Sequence, residues 1–370
     1  MTNEKRTSTV KPVTVVAMSG GVDSSVAAAV LKEQGRDVIG IGLQLVDPED
    51  VCVTPGSCCG IESMEDARRV AEKLGFPFYV LNFKDVFRTF VTDYFIDSYL
   101  RGETPNPCVP CNDVIKFAEL LRSARGLGAT CLATGHYARI EPGSGGRLAL
   151  KKGIDGNKDQ SYFLYSLTQE QLAAASFPLG EMTKTQTRSV ALELGLKVHD
   201  KPESQDICFV GVEGYAAFIE QRCGHALEPG PILDDSGAVV GEHKGLVNYT
   251  IGQRRGLGIS FPEPMYVVDV DPGSNSITIT TARGLNRQKQ LVLDRVNYVS
   301  IVPPSTPVRV SAMTRYRKAE VPATMSPLEG GAASLEFDDP QEPTAPGQSV
   351  VLYDGDTVLA GGIAVRGFRG

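Results

Sequence analysis

The sequence predicts an α/β protein: a doubly wound parallel sheet, a small central domain and a C-terminal antiparallel β-barrel. Two features carry this prediction. In the first half of the chain, short apolar runs alternate with helical patterns, which is typical of parallel strand pairing. Further along, short strand patterns are separated by Gly, Pro, Asp and Asn, which is typical of small antiparallel barrels. At 370 residues the chain is long enough for two or three domains, which we place at 1–210, 211–285 and 286–370.

The N-terminal elements follow from compact apolar runs and from signals at helix ends. The predicted strands are Val13–Ala17, Val38–Leu43, Phe78–Leu81 and Cys131–Thr134. The predicted helices are Ser24–Gln34, Ser63–Leu74 and Thr183–Leu194. In the second helix Ser63 is the expected N-cap and Gly75 follows the last helical residue, while Gly195 closes the third helix. Ligands of such sheets bind at the carboxyl ends of the strands.

The strands of the later part are short and end in turn sequences such as Asp354-Gly-Asp. They are predicted at Met265–Val270, Ser276–Thr281, Val308–Met313, Ala333–Phe337, Ser349–Tyr353 and Val358–Val365. This pattern indicates one or two small antiparallel domains.

Composition excludes several classes of protein. The chain is 42% hydrophobic and 22% charged, as globular proteins are, and no run approaches the ~18 apolar residues of a membrane span. The polar segment Met1–Pro12 has no apolar core, so it does not predict a secretory signal. We therefore expect a cytoplasmic protein without membrane association, whose eight cysteines are reduced thiols.

A basic stretch contrasts with the net charge of −7 and the pI of about 5.3. Between Arg283 and Lys318 there are eight cations and one acid, Asp294. The stretch is either a solvated surface or a footprint for a polyanion. Its cations are Arg283, Arg287, Lys289, Arg295, Arg309, Arg315, Arg317 and Lys318.

A glycine-rich turn, Ala17-Met-Ser-Gly-Gly-Val-Asp-Ser-Ser25, joins the first strand to the first helix. Gly20 and Gly21 let the backbone approach an anion closely. The N–H groups that open the helix, with the hydroxyls of Ser19 and Ser24, can then hold phosphate oxygens. The turn has neither the Gly-Lys-Ser/Thr of a Walker A loop nor the Gly-x-Gly-x-x-Gly of a dinucleotide site.

This turn resembles the PP-loop of the ATP pyrophosphatase superfamily, whose members cleave ATP between the α and β phosphates and adenylate a carbonyl oxygen. The resemblance implies ATP as cofactor, with Asp23 positioning Mg²⁺ on the phosphates. Leu43 and Gly135, which end predicted strands, would border the nucleotide. The implied ATP-binding residues are Ala17, Met18, Ser19, Gly20, Gly21, Val22, Asp23, Ser24, Leu43 and Gly135.

Cys108 and Cys111 form a Cys-x-x-Cys pair for which three interpretations compete. A structural zinc site with Cys58 and Cys59 would have poor spacing, and we expect no structural zinc. A thioredoxin-like redox pair should directly follow a strand, whereas Pro105-Asn-Pro precedes this pair and predicts a loop. Inert core thiols are also unexpected in a loop rich in Pro and Asn.

The whole pattern resembles the tRNA-specific 2-thiouridylase family over nearly the full length of the chain. A second cysteine centre, Cys208, lies in one of the segments that carry the resemblance. Besides the PP-loop, these segments are Thr104–Phe117, Ala133–Arg139, Lys158–Leu164, Ser204–Val210, Tyr249–Gly258 and Pro346–Val351.

The resemblance implies a tRNA-uridine 2-sulfurtransferase that converts ATP to AMP and pyrophosphate. ATP would adenylate O2 of the wobble base, uridine 34, in tRNAs for Lys, Glu and Gln. A persulfide on Cys208 would displace AMP, and Cys111 would be the partner that forms a transient disulfide with Cys208. The sulfur would come from a sulfur-relay protein or a cysteine desulfurase. The chemistry agrees, because a thiol attacks only as thiolate and a disulfide must be reduced before the next turnover.

The resemblance also implies RNA contacts. Many relatives carry Asp, a candidate acid or base, where this chain has Cys108. The residues implied at the target base are Asn106, Pro107 and Cys108, and those elsewhere on the tRNA are His136, Lys158, Asp159, Gln160, Arg315, Tyr316 and Gln348. A guanidinium beside an aromatic ring, as in Arg315-Tyr316, suits phosphate contact and base stacking.

Two other functions are compatible with the phosphate loop. One is an amide-forming synthetase that adenylates a small carbonyl substrate, although no glutaminase segment is evident to supply its ammonia. The other is a catalytically silent RNA-binding module that uses ATP only structurally. The synthetase would not need Cys111 together with Cys208, and pyrophosphate release on adding tRNA would separate the silent module from both enzymes.

Overall fold

The computed structural model describes residues 12–47, 60–202, 207–223 and 228–366. Cys52, Cys58, Cys59 and His225 lie outside these residues, as does the Ser204–Asp206 part of the segment before Cys208. Within the described ranges, no helix is both long and apolar enough to cross a membrane.

Seven strands belong to the N-terminal part of the chain. They are β1 (Val13–Ala17), β2 (Asp37–Gln44), β3 (Phe78–Asn82), β4 (Ala129–Ala133), β5 (Ala138–Pro142), β6 (Leu148–Lys152) and β7 (Ala175–Ser176). Five of them form one parallel sheet in the order β3-β2-β1-β4-β7. The central strand β1 is buried on both faces, with Val15 and Val16 fully inaccessible. A sheet covered on both faces explains why its strands read as continuous apolar runs.

Helices cover both faces of this sheet. The first helix packs with Ile61–Leu74 and Lys184–Glu193 over one apolar cluster, and the remaining N-terminal helices cover a second, larger cluster. Two helical segments, Arg88–Asp93 and Cys111–Leu120, have π-helical hydrogen bonding. The α-helical segments are Val22–Glu33, Ile61–Leu74, Lys84–Phe87, Tyr94–Leu100, Cys108–Pro110, Leu121–Gly126, Gln169–Ala174, Lys184–Glu193 and Tyr215–Cys223. Short 3₁₀ turns lie at Ser144–Gly146, Ser161–Phe163, Leu246–Asn248 and Glu329–Gly331.

The predicted start of the second helix is wrong by two residues. The helix begins at Ile61 with Gly60 as N-cap, and Gly60 offers no side-chain cap. Ser63 is buried in the first turn, where its hydroxyl accepts a hydrogen bond from Lys201 Nζ at 3.2 Å. A tertiary contact therefore uses the side chain that the sequence pattern assigned to local capping. The C-terminal prediction is confirmed, since Gly75 adopts the left-handed conformation that ends the helix (φ 71°).

The central part contains a four-stranded sheet in the order β10-β11-β8-β9. Its strands are β8 (Gly230–Leu233), β9 (Val239–His243), β10 (Met265–Asp271) and β11 (Ser276–Thr281). Ile232, Val267, Ile277 and Ile279 are fully buried in a small core of its own.

The C-terminal part is a closed antiparallel barrel. Its strands are β12 (Gln288–Asn297), β13 (Val308–Met313), β14 (Val321–Pro327), β15 (Ala333–Gln341), β16 (Ser349–Asp354) and β17 (Thr357–Ala364). They pair in the order β12-β15-β14-β13-β16-β17, and β17 pairs back onto β12. Closure removes free strand edges within this ring. The predicted fold class is confirmed.

A hairpin from the N-terminal domain extends the barrel sheet. Strands β5 and β6 pair with each other, and β6 pairs with β17 through Leu150 and Val358. Arg139 fixes this junction, with Nη2 2.6 Å from Asp356 Oδ2 and Nη1 2.8 Å from Glu141 Oε1. The N-terminal domain and the barrel are therefore joined through main-chain hydrogen bonds and a half-buried ion-pair network.

Candidate active site

The phosphate loop connects β1 to the first helix, at the carboxyl edge of the parallel sheet. Gly21 is the N-cap of that helix and, as a glycine, has no side chain to cap the first N–H groups, which therefore suit an anion. The loop is held from within, because Ser25 Oγ donates to the Gly21 carbonyl at 2.8 Å and the Ser19 N–H donates to Ser24 Oγ at 3.2 Å. The residues present therefore fit the phosphates of a nucleotide.

Gly20 is required by geometry. Its φ is 70°, a left-handed conformation that favours glycine, and a Cβ there would lie 1.9 Å from the carbonyl oxygen of Ser63. Lys201 also links the loop to the second helix, since its Nζ donates to the Gly20 carbonyl at 3.2 Å and lies 2.9 Å from Asp66 Oδ2. The loop is thus clamped between the second helix and the segment that follows the third predicted helix.

The carboxylate of Asp23 is engaged by two neighbours. Lys184 Nζ lies 2.7 and 2.8 Å from its two oxygens, and the Tyr137 hydroxyl donates to Oδ1 at 2.8 Å. Only 10% of the Lys184 side chain is exposed, so its ammonium is fixed beside the loop. A Mg²⁺ ion bound directly to Asp23 would share the carboxylate with that ammonium and be repelled by it, so Asp23 fits the predicted metal role poorly. The described residues contain no group of three or more His, Cys, Asp or Glu placed to hold a metal.

The strand end after β4 lies directly against the loop. A Cβ on Gly135 would be 2.7 Å from the backbone of Asp23 and Ser24, so only glycine allows this approach. The next residue, His136, accepts or donates one hydrogen bond through Nδ1, to Thr134 Oγ1 at 2.7 Å. Its ring packs edge-on against Phe177 with centroids 5.9 Å apart. Desolvation, and secondarily the nearby ammonium of Lys116, lower the pKa of His136 well below its ordinary range.

The Cys-x-x-Cys pair is not in a loop, contrary to the sequence prediction. Cys108–Pro110 form a helical turn that continues into the π-helical stretch from Cys111. Pro107 precedes the helix with φ −69°, and the Cys108 N–H donates to Asn106 Oδ1 at 3.2 Å. Proline suits a first helical turn because the N–H it lacks has no partner there. Pro and Asn thus start the helix, and both thiols lie in its first turns.

The second cysteine centre is anchored by its neighbour. Phe209 is buried and packs against Phe87 and Phe95, with ring centroids 5.5 and 5.4 Å apart. The segment Lys84–Phe87, which carries the first of these rings, also contacts the helical stretch that begins at Cys111. Cys208 and Cys111 are half-buried thiols that pack against the same large apolar cluster.

Residues of the N-terminal domain and of the barrel meet beside the target-base segment. Gln348 Nε2 donates to the Thr104 carbonyl at 3.1 Å, and the Thr104 N–H donates to the Pro346 carbonyl at 2.7 Å. The Tyr316 ring packs on Phe163 with centroids 4.4 Å apart. The barrel therefore forms one wall of the region predicted to receive the base.

Two further residues predicted to contact tRNA, Asp159 and Gln160, also make hydrogen bonds within the protein. Asp159 Oδ1 accepts the N–H groups of Gly153 and Ser161 at 3.0 and 3.1 Å, and burial raises its pKa. Gln160 Oε1 accepts the Tyr137 N–H at 3.1 Å. These side chains fix the segment after Lys158 against the strand end that approaches the phosphate loop.

Comparison with known proteins identifies the family. A model described as "tRNA methyl transferase HUP domain" matches residues 12–212, "tRNA methyl transferase PRC-barrel domain" matches 216–281, and "Aminomethyltransferase beta-barrel domain" matches 288–364. The chain is 48% identical to the tRNA-specific 2-thiouridylase MnmA of Clostridioides difficile (strain 630), over 94% of this chain and 97% of that protein. It is 51% identical to the protein of the same name from Moorella thermoacetica, over 94% and 98%. This chain belongs to the tRNA-specific 2-thiouridylase family.

In this member of the thiouridylase family the basic stretch is partly neutralised. Arg309 makes a bidentate pair with Asp338, both N–O distances being 2.7 Å. The stretch as a whole is therefore not an open cationic surface. Carboxylates lie within ion-pair distance of Lys289, Arg295, Arg309 and Lys318, whereas Arg283, Arg287, Arg315 and Arg317 have none among the described residues.

Sequence reasoning missed four residues at this site. Tyr137 and Lys184 bind Asp23, and Lys201 clamps the loop. Lys116 Nζ lies 2.8 Å from Asn112 Oδ1, and its charge acts on His136. Lys184 directly follows Thr183 at the start of a predicted helix, which places it in a first turn but gives no sign of its partner.

Proposed function

We propose that this protein is an ATP-dependent enzyme that replaces the C2 oxygen of uridine 34 in tRNA with sulfur. One observation carries the proposal. A helix-start phosphate loop and two cysteine centres, Cys111 and Cys208, belong to one α/β domain, in which both cysteines pack against one cluster. The membership in the thiouridylase family supports the same reaction.

The proposed reaction has two stages. First, uridine O2 attacks the α-phosphorus of ATP and pyrophosphate leaves, which converts a poor leaving group into AMP. Next, the terminal sulfur of a Cys208 persulfide attacks C2 and AMP leaves. The Cys111 thiolate then attacks the Cys208 sulfur, the S–S bond breaks, and its electron pair stays with the sulfur on C2. The resulting Cys111–Cys208 disulfide takes two electrons from a thiol reductant before the next turnover.

The residues keep the roles that the resemblance implied. Residues 17–24, with Leu43 and Gly135, would bind ATP, and Lys184 would add positive charge beside its phosphates. We propose the target base between the 106–108 segment and the barrel. His136, Lys158–Gln160, Arg315, Tyr316 and Gln348 would border the anticodon loop. Cys108 occupies the place of a candidate acid or base and is exposed.

The proposed partners are tRNAs for Lys, Glu and Gln and a persulfide-donating protein. Because tRNA is the substrate, the proposed site of action is the cytoplasm. Mg²⁺ would be coordinated by the phosphates of ATP and would enter the site with the nucleotide, since the Asp23 carboxylate is engaged by Lys184.

The decisive experiment is mass spectrometry of tRNA nucleosides after reaction with ATP, a persulfide donor of sulfane sulfur and unmodified tRNA. The wild-type protein should form 2-thiouridine, AMP and pyrophosphate. Cys208→Ser should release pyrophosphate without forming 2-thiouridine, because adenylation does not need the thiol. Cys111→Ser should accept labelled sulfur on Cys208 but fail to transfer it, and a strong external thiol should restore part of the activity.

Other outcomes select other functions. Pyrophosphate release that depends on a small carbonyl compound and ammonia, and not on tRNA, would indicate an amide-forming synthetase. Labelled sulfur on Cys111 and never on Cys208 would reverse the two cysteine roles. Labelled sulfur on Cys108 would show that the relay differs from the one proposed.

A further inference from the structure

The Tyr249–Gly258 segment of the central domain forms a loop that the proposed reaction leaves unused. Gly252, Gly256 and Gly258 have φ values of 86°, 76° and 73°, which L side chains rarely adopt. A Cβ on Gly252 or Gly258 would meet no atom within 4 Å, so glycine is needed for backbone conformation and not for packing. The sequence thus maintains an unusual loop shape on an open surface.

Hydrogen bonds fix this loop from both sides. Gln253 Oε1 accepts the Thr250 N–H at 3.0 Å, and its Nε2 donates to the Arg255 carbonyl at 2.9 Å. The backbones of Gly252 and Gln253 exchange two further bonds with Val267, at 2.8 and 3.0 Å. Leu257 is 6% exposed and anchors the far side in the domain core.

This rigid loop presents two adjacent arginines to solvent. Arg254 and Arg255 are exposed, and among the described residues neither guanidinium has a carboxylate within ion-pair distance or a side-chain hydrogen-bond partner. A merely solvated charge needs no fixed backbone, because a flexible loop keeps it hydrated equally well. Fixed guanidinium groups lose less conformational freedom when they bind, and their planar donors match phosphate oxygens.

The loop lies beside the helix that leads to the target-base segment. The side chain of Thr250, at its base, interacts with the Tyr215 hydroxyl. The Tyr215 ring stacks on Tyr99 with centroids 4.7 Å apart, and Tyr99 belongs to Tyr94–Leu100, just before Thr104. A nucleic acid whose base reaches the 104–108 segment would have neighbouring phosphates near this face.

We propose that Arg254 and Arg255 form an RNA-backbone site on the central domain, one that contacts phosphates flanking the modified nucleotide. This inference rests on the proposed function, because it assigns a further contact to the same tRNA substrate. The site contributes affinity and register and no base specificity, since phosphate contacts carry no sequence information. The excess negative charge of the protein makes such local cationic sites necessary for RNA binding.

The test compares tRNA binding by the wild-type protein and the Arg254→Ala/Arg255→Ala variant across a salt series, with unmodified tRNA as the probe. We expect about a tenfold weaker affinity at low salt and a slope of log Kd against log salt that is flatter by roughly 1.5 to 2 units. At saturating tRNA, kcat should stay at the wild-type value, because the arginines lie outside the reacting groups. The matched control is Arg69→Ala/Arg309→Ala, which removes two exposed arginines that have carboxylate partners and should leave the slope unchanged.

A second variant keeps both charges and changes the loop. Gly256→Ala introduces a side chain at φ 76°, so it should weaken tRNA binding while leaving the net charge unaltered. A wild-type slope in the double variant would overturn the proposal. So would normal tRNA binding combined with lost sulfur transfer from a protein donor, which would assign the arginines to an acidic partner protein. Failure of the wild-type protein to bind tRNA at all would instead refute the proposed function.

Discussion

At the scale of single residues, the charge beside the phosphate loop is set by one ion pair. Lys184 holds Asp23, and the ammonium stands close to the uncapped start of the first helix. The positive end of a helix and a nearby ammonium act in the same direction on a phosphate. Lys184 is therefore the residue outside the loop whose removal should affect nucleotide binding most.

We predict that Lys184→Met lowers the rate of tRNA-dependent pyrophosphate release about 100-fold, as loss of a preorganised donor does. The variant should also lose about 1–2 kcal/mol of stability, a modest value because a third of the Asp23 side chain is exposed (32%). Lys73→Met is the matched control, since Lys73 Nζ binds the carbonyl of Gly195 and not a loop residue. Unchanged pyrophosphate release in Lys184→Met would exclude this role.

His136 makes stability depend on pH. The folded protein holds its pKa well below the ordinary value near 6.5, while the unfolded chain restores that value. As the pH falls below about 6.5, the unfolded state takes up a proton that the folded state does not, so the free energy of unfolding falls. The upper limit of this slope is about 1.4 kcal/mol per pH unit.

We predict that His136→Gln removes the part of the pH dependence of stability that comes from this histidine. Urea denaturation at pH 7.5 and 5.5 should show that the loss of stability on acidification is smaller in the variant, by about 1 kcal/mol. Equal losses in both proteins would mean that the ring is protonated in the folded state at acidic pH.

Individual residues also show where sequence reasoning stops. The phosphate loop could be predicted because its function depends on consecutive residues. The start of the helix at Cys108 could not be predicted, because Pro and Asn signal loops and helix starts alike. The hydrogen bond that the Cys108 N–H donates to Asn106 Oδ1 is visible only in the structure. Ser63 was misplaced for a related reason, since its hydroxyl binds Lys201 from a distant segment.

At the scale of elements, two helices begin with the same device. Thr168 and Gln171 form a capping box at the helix Gln169–Ala174, and Thr183 and Gln186 form one at Lys184–Glu193. In each box, the threonine hydroxyl accepts a hydrogen bond from the glutamine backbone N–H, and the glutamine side-chain oxygen accepts one from the threonine backbone N–H. Only the second box orients a residue of the candidate active site.

We predict that Thr168→Ala and Thr183→Ala each cost about 1 kcal/mol of stability in urea denaturation. Thr183→Ala alone should also raise the KM for ATP, because fraying of its helix releases Lys184 from Asp23. If both variants raise the KM equally, or neither does, the position of Lys184 does not depend on this cap.

Most strands could be predicted from the sequence, because their apolar pattern reflects local burial. Four of the five parallel-sheet strands agree within two residues, and β11 and β13 agree at both ends, whereas the two-residue strand β7 was not predicted. The π-helical stretches could not be predicted, since an extra residue per turn leaves little trace in a short pattern.

At the scale of the whole molecule, the candidate site is assembled from sequence-distant segments. Gln348 and Tyr316 of the barrel contact the 104 and 159 segments, and the β5–β6 hairpin joins the barrel sheet. Contacts between residues so far apart leave no local pattern, so the sequence predicted the fold class but not the wall that the barrel forms beside the 104 and 159 segments.

We predict that Asp356→Ala loosens this junction. Arg139 and Lys151 would lose a shared carboxylate, so amide exchange in β6 should accelerate while β14, inside the barrel, stays protected. The stability loss should be about 1–2 kcal/mol, since Arg139 is largely buried (19% exposed). The control Asp338→Ala breaks the exposed pair with Arg309 and should cost less than about 1 kcal/mol, with β6 unaffected.

The β6–β17 pairing has a consequence for synthesis of the chain on the ribosome. The β5–β6 hairpin can pair with β17 only after β17 has been synthesised. The Lys152 ammonium, for example, binds the carbonyl of Gly355, which lies 203 residues further along the chain. At about 5–20 residues per second, this interval lasts roughly 10–40 s. During that time the N-terminal domain exposes an unpaired strand edge, to which other nascent chains could add. Lys151 and Lys152 on this strand place two charges at the temporary edge, a feature that opposes such aggregation until the barrel arrives.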